Sequence, residues 1–165
     1  MTDQIVAVIA LIISILSFGV SVYFWRRQFR PIITVAVKTA GAGNASTAFS
    51  LQIKNSGSLP AKNIKLSANQ SDLESAFATD ATPENKTRWL AAFDEKNVIP
   101  ILQNGDTTIC SFGFSKPNNQ GFWKYKSSLR ITVDYYGWFG YHYNEMQGIR
   151  IVNSDSFTDF QWGSS

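Results

Sequence analysis

Cysteine and histidine are nearly missing from this chain, with one of each, Cys110 and His142, in 165 residues. A lone cysteine excludes an internal disulfide and any cysteine-rich zinc site. A lone histidine excludes every metal site that needs two imidazoles. Charge is scarce as well: charged residues make up 16% of the chain, against about 25% in an average soluble domain. The shortfall is concentrated in residues 5–25, which carry no charge. The formal net charge is +3, but without residues 1–30 there are 12 Lys/Arg against 11 Asp/Glu, so the basic character belongs to the flank of that run. No nucleic-acid-binding surface is indicated by such a balance. There is also no Gly-x-Ser-x-Gly elbow, Ser-x-x-Lys pair, phosphate-cradling loop or repeated acidic calcium loop. No catalytic, cofactor-binding or metal-binding residue is assigned on these grounds, and a non-enzymatic role is expected.

The uncharged run is itself the strongest signal present. Of its 21 residues, 13 are Ile, Val, Leu or Phe, and at about 1.5 Å per helical residue it matches the roughly 30 Å hydrocarbon layer of a bilayer. Those residues contribute on the order of −6 kcal/mol to insertion, which outweighs the serines and the glycine among them. Tyr23 and Trp25 stand at its carboxyl end, followed by Arg26, Arg27 and Arg30. This is the order of an interfacial aromatic belt and a cytoplasmic basic collar. Pro31 then ends the helix, since it lacks an amide hydrogen and disfavours helical geometry at Arg30. A cleaved signal peptide would place its positive charge before the apolar run, and here only Asp3 precedes it. The expected arrangement is a single-pass protein of the inner (cytoplasmic) membrane: residues 1–4 outside, a transmembrane helix at 5–25, a basic linker at 26–31, and the rest in the cytoplasm. An uncleaved anchor with an exported domain is the alternative.

Within the span, Ala7, Ala10, Ser14, Ser17 and Ser21 recur at intervals of three and four. Small side chains at that spacing let helices approach closely, so a homo-oligomer packed through them is expected. In the competing reading each serine bonds a carbonyl of its own helix.

Beyond Pro31 apolar residues alternate with period two, the mark of strands with one buried face. Ile33, Val35 and Val37 open the series, then Phe49, Leu51 and Ile53, then Ile64, Leu66 and Ala68. A short strand near 98–102 is followed by strands at 107–114, 129–135 and 141–152, with turns at Asn104-Gly-Asp106 and Gly137 to Gly140. Residues 32–152 are therefore expected to be mainly β, an immunoglobulin-like antiparallel β-sandwich. Residues 71–97 form a helical insertion in which Thr82-Pro83-Glu84 starts a short helix. Trp89, Leu90 and Phe93 would share one face of it and cover an end or edge of the sandwich. Phe157, Phe160 and Trp162 in the tail, 153–165, are spaced as if to dock.

Leu51-Gln-Ile-Lys-Asn-Ser-Gly-Ser-Leu-Pro-Ala-Lys-Asn-Ile-Lys-Leu66 resembles the strand, turn and strand of bacterial immunoglobulin-like modules of the cell-adhesion-related, CARDB-like type. Ile99-Pro-Ile-Leu-Gln-Asn-Gly-Asp106 is similar to a later turn of theirs. The resemblance implies a fold rather than an activity, here in a membrane-anchored setting.

The densest chemistry is Tyr135-Tyr-Gly-Trp-Phe-Gly-Tyr-His-Tyr143, six aromatic rings in nine residues. Alternation buries about half of them. Tyr136, Trp138, Phe139, Tyr141 and His142, together with Trp123, Lys124 and Lys126 from a second aromatic and basic stretch, make a candidate binding surface. It suits a protein partner, a nucleotide stacked on rings with Lys116 and Arg130 also meeting phosphate, or the headgroup layer of the bilayer. His142 with Asp134 and a serine could in principle assemble a triad, but a lone histidine alternating with Tyr141 and Tyr143 on a strand is usually a polar face residue. The leading expectation is a membrane tether that binds a protein partner and self-associates through its span. The alternative is a ligand-sensing effector that binds a nucleotide second messenger and perturbs the membrane by clustering, as in some bacterial antiviral systems.

Overall fold

A computed structural model describes residues 2–43 and 45–153, in two compact units, Met1–Arg30 and Pro31–Ser165. The tail rings Phe157, Phe160 and Trp162 lie outside the described residues.

The first unit is a helix, α1, over Thr2–Gln28. It is long and apolar enough to cross a membrane, and its large apolar side chains from Ile5 to Trp25 are exposed apart from half-buried Val22. It extends beyond the uncharged run 5–25 at both ends and continues through Arg26 and Arg27 before Pro31, where the helix was expected to stop. Arginine is a good helix former, and nothing before Pro31 breaks the pattern.

The second unit is mainly β. Seven strands are described: β1 (Ile33–Ala42), β2 (Thr47–Asn55), β3 (Ala61–Ala68), β4 (Ile99–Leu102), β5 (Thr107–Ser115), β6 (Ser128–Gly137) and β7 (His142–Arg150). They form two antiparallel sheets, β1-β2-β5 and β4-β3-β6-β7. This crossed order, with the second hairpin partner lying in the opposite sheet, is that of an immunoglobulin-like sandwich. Alternation explains which face is buried: Phe49, Leu51 and Ile53 of β2 meet Leu129, Ile131, Val133 and Tyr135 of β6 across the core.

The insertion holds two helices, α2 (Gln70–Ala76) and α3 (Pro83–Trp89), and a 3-10 turn at Ala91–Phe93. Thr82 caps α3 from its side chain, with Pro83 in the first turn, as expected. Helix α2 was not expected. The Asn69 side chain caps it by accepting from the amides of Ser71 and Asp72. Asp72 then fixes it to β6, taking the Arg130 guanidinium at 2.7 and 2.9 Å and the Arg130 amide at 3.0 Å. These bonds hold the Asp72 carboxyl down at about 2. Trp89, Leu90 and Phe93 pack against the core, although they are shared between α3 and the turn that follows it.

One polar side chain organises the end of the sandwich where the chain enters. Asn55 is fully buried and makes four hydrogen bonds. Its oxygen accepts from the amides of Ile32 and Gly57, and its nitrogen donates to the carbonyls of Leu59 and Leu102. This carboxamide is the physical reason for the Asn-x-Gly turn seen in the sequence.

Candidate functional site

The expected aromatic and basic surface is not one surface. Trp123 is fully buried; its ring lies 4.9 Å from Phe112 and 4.6 Å from Phe122, and its indole nitrogen donates to the Phe112 carbonyl. It is a core residue. The flanking lysines disguised it, whereas the informative neighbour was Gly121, where a side chain would collide with the backbone of Ser115 and Lys116 at 2.7 and 2.8 Å. Gly113 lies against the same plug: it bulges β5 with φ +79°, and a Cβ there would sit 2.8 Å from the Phe122 ring. Lys124 and Lys126 are exposed, but they precede β6, while Tyr136 lies at its far end and Trp138 to His142 beyond it. Eight strand residues, 128–135, separate the two groups, about 26 Å of extended chain. Arg130 is engaged by Asp72 and Lys116 by Asp80 at 3.2 Å.

The hairpin joining β6 to β7 divides its rings as alternation requires. Tyr135 is buried and stacks on half-buried Tyr143 at 5.1 Å, while Tyr136, Trp138, Phe139 and Tyr141 are exposed. His142 bonds Asp134 through Nε2 at 2.7 Å on the outer face of the sheet, and Asn144 donates to the same carboxylate. Partial burial pulls the Asp134 carboxyl up. The bonds from Asn144 and His142, with Lys65 nearby, outweigh it and leave the group below its usual range. His142 and Asp134 are thus brought together, but no serine hydroxyl bonds this imidazole among the described residues. No cluster of three metal-binding side chains occurs among the described residues either.

In α1, the Ser14 and Ser21 hydroxyls donate to the carbonyls of Ala10 and Ser17 at 2.9 and 2.8 Å. Two of the three serines in the small-residue stripe thus satisfy themselves within their own helix.

The feature that sequence reasoning missed lies between the edges of the two sheets. A cleft of about 330 Å³ opens beside β5, floored by Ile53, Ile64 and Leu66, with Ala91, Ala92 and Lys96 to Ile99 on one lip and Thr108, Ile109 and Cys110 on the other. Ile109 is 62% exposed. Strand β5 is the edge of its sheet. Its second half is covered, because the Phe114 carbonyl accepts from Phe122 and Trp123. No backbone bond from outside the sheet reaches Thr107 to Ser111 among the described residues. An edge strand normally carries Lys, Pro or a cover; Thr107-Thr-Ile-Cys-Ser111 has none. Burial pushes the Cys110 thiol up, opposed by its contact with the Leu51 carbonyl. The one available signal was that run of β-forming residues without a gatekeeper.

A second hollow, of about 320 Å³, lies at the end opposite the hairpin, lined mainly by polar residue types, Thr47, Ser115, Lys116, Asn118, Asn119 and Tyr125 among them.

Over residues 2–152 the chain matches the family described as Domain of unknown function (DUF8453), and it belongs to that family. The match names no immunoglobulin-like or cell-adhesion family. No curated protein and no solved structure matches the chain significantly.

Proposed function

We propose that this family member is a non-enzymatic, single-pass membrane protein whose β domain receives an extended, apolar segment of a protein partner along β5. Its spans associate through the small-residue stripe, and its domain lies on the cytoplasmic side that the basic collar favours. The observation that carries the reading is the uncovered β5 edge directly above an apolar cleft. Main-chain groups on such an edge supply the hydrogen bonds of a further strand, and a cleft beneath them takes alternate side chains of that strand. The finer kinship with CARDB-like modules is part of this reading, supported by the Asn55-x-Gly57 turn and the strand order.

A photo-crosslinking residue in place of Ile109, in the full chain in its native membrane, tests it. The expected result is a discrete protein adduct, absent when the same residue replaces Thr132 on the opposite sheet and competed by the partner's mapped segment as a peptide. Lipid adducts alone, or equal adducts from both positions, would overturn it.

The hollow supports the second reading, a sensor for a nucleotide, because Lys116 and Tyr125 both line it. Under it, a nucleotide raises the melting temperature of the full chain in detergent, and Lys116→Ala removes the shift.

A further inference from the structure

Of the eight large apolar side chains exposed by more than a third on the strand domain, four (Tyr136, Trp138, Phe139 and Tyr141) sit on or beside one four-residue loop. The loop is built to present them. The Gly137 amide donates to the Tyr141 carbonyl at 2.7 Å, closing the hairpin, and Gly140 turns the chain with φ +79°. The Lys62 ammonium rests 4.0 Å above the Trp138 ring, so the patch is amphipathic rather than purely apolar.

The same end of the sandwich is where the chain comes in. The Tyr135 hydroxyl donates to the Pro31 carbonyl at 3.4 Å, and a Cβ built on Gly137 would lie 3.5 Å from the Pro31 ring. The loop between β2 and β3 is at this end too, since Ala61 pairs with Gly137 and the Ser56 amide donates to Ile32. The apolar helix ends at Gln28, three residues before Pro31, which leaves at most about 10 Å of chain between them. Whatever the angle between helix and domain, a bilayer holding that helix keeps its headgroups within reach of this end of the domain. Tyrosine and tryptophan are the side chains that favour such a layer.

We propose that Trp138, Phe139, Tyr141 and Tyr136 rest in the headgroup layer of the bilayer that holds the chain's own helix, so that the domain lies on the membrane by its hairpin end. The polar end bearing Lys124 and Lys116 faces away, and the β5 cleft opens sideways along the surface. The inference rests on the membrane reading above.

The test uses the full chain in phosphatidylcholine vesicles containing a lipid with a nitroxide on its headgroup. Cys110→Ser removes the native thiol, and a fluorophore is attached either at Ser58→Cys, on the hairpin end, or at Lys124→Cys, on the other. The label at 58 is expected to be quenched several-fold more than the label at 124, with Trp138→Asp, Phe139→Asp and Tyr141→Asp together abolishing most of the difference. Phe139→Ser alone, at an exposed ring, gives an intermediate value and serves if the triple variant does not fold. Equal quenching at both positions overturns the proposal. So does a difference that the substitutions leave unchanged, or one that appears only at high protein-to-lipid ratio, which would mark a second copy as the occupant. Retention in the vesicles at alkaline pH is read separately: its loss sinks the membrane reading, whereas retention with equal quenching sinks the hairpin contact alone.

Discussion

The two long sides of the sandwich are finished in opposite ways. On the side where β1 meets β7, the Gln147 side chain lies across the outer edge of β1. Its carbonyl accepts from the Val35 amide at 3.0 Å and its nitrogen donates to the Ile33 carbonyl at 2.6 Å. Further along, the Thr39 hydroxyl donates to Asn153 at 2.9 Å. On the other side β4 is only four residues long and carries Pro100, which removes a donor and blunts that edge. The β5 edge opposite it has no such device among the described residues. One side is closed by side chains that mimic a neighbouring strand, while on the other no described residue from outside the sheet pairs with Thr107 to Ser111 over the apolar floor. Evolutionary pressure against edge-to-edge aggregation makes an unguarded edge costly unless something occupies it, and this contrast motivates the partner reading.

Four substitutions break or sharpen that contrast. The largest effect is expected for Asn55→Ala, which removes the tie between β4, the lip of the open side, and the first residues of the domain. Four backbone groups lose their partner together, so a loss of about 3 to 4 kcal/mol is expected in denaturant unfolding of the full chain in detergent. Gly113→Ala strikes β5 where it passes from its open half to its covered half. A left-handed backbone and a 2.8 Å overlap with the Phe122 ring make a loss of about 2 to 3 kcal/mol the expected outcome of the same measurement. Gln147→Ala opens the closed side and leaves the Val35 amide and Ile33 carbonyl to water, a cost of about 1 kcal/mol. It should also raise hydrogen exchange at Val35 while leaving the β5 edge unchanged.

The smallest effect belongs to Asp72→Asn, remote from the cleft and useful as a control. The folded-state carboxyl titrates at about 2, below its ordinary 3.8, so its contribution is present above the ordinary value and lost as pH falls through the lower one. The melting temperatures of wild type and variant are therefore expected to differ at pH 6 and to converge between pH 4 and pH 2.

Much of this architecture was legible in the residues. Alternation in Phe49-Ser-Leu-Gln-Ile53 and Leu129-Arg-Ile-Thr-Val133 marked buried faces, and Thr82-Pro83 marked a helix start, because those signals are local. Helix α2 was hidden because it spans only seven residues, too few for its period to stand out, and its cap was an asparagine that also suits a turn. Trp123 was misplaced because burial depends on where residues 116–127 fold back across β5, which is a tertiary fact. Gln147 reads as one polar residue of an alternating strand, and its role depends on β1, more than 100 residues away. The cleft is the least local feature of all: its walls come from β2, β3, β4, β5 and the insertion, and no contiguous stretch describes it.

A mechanical corollary follows from the Asn55 carboxamide. It grips both the amide of Ile32, immediately after the segment that joins helix and domain, and the carbonyl of Leu102, at the end of β4. Tension drawn through residues 26–31 is therefore delivered to the strand that borders the cleft, and stretching the leash strains the jaw.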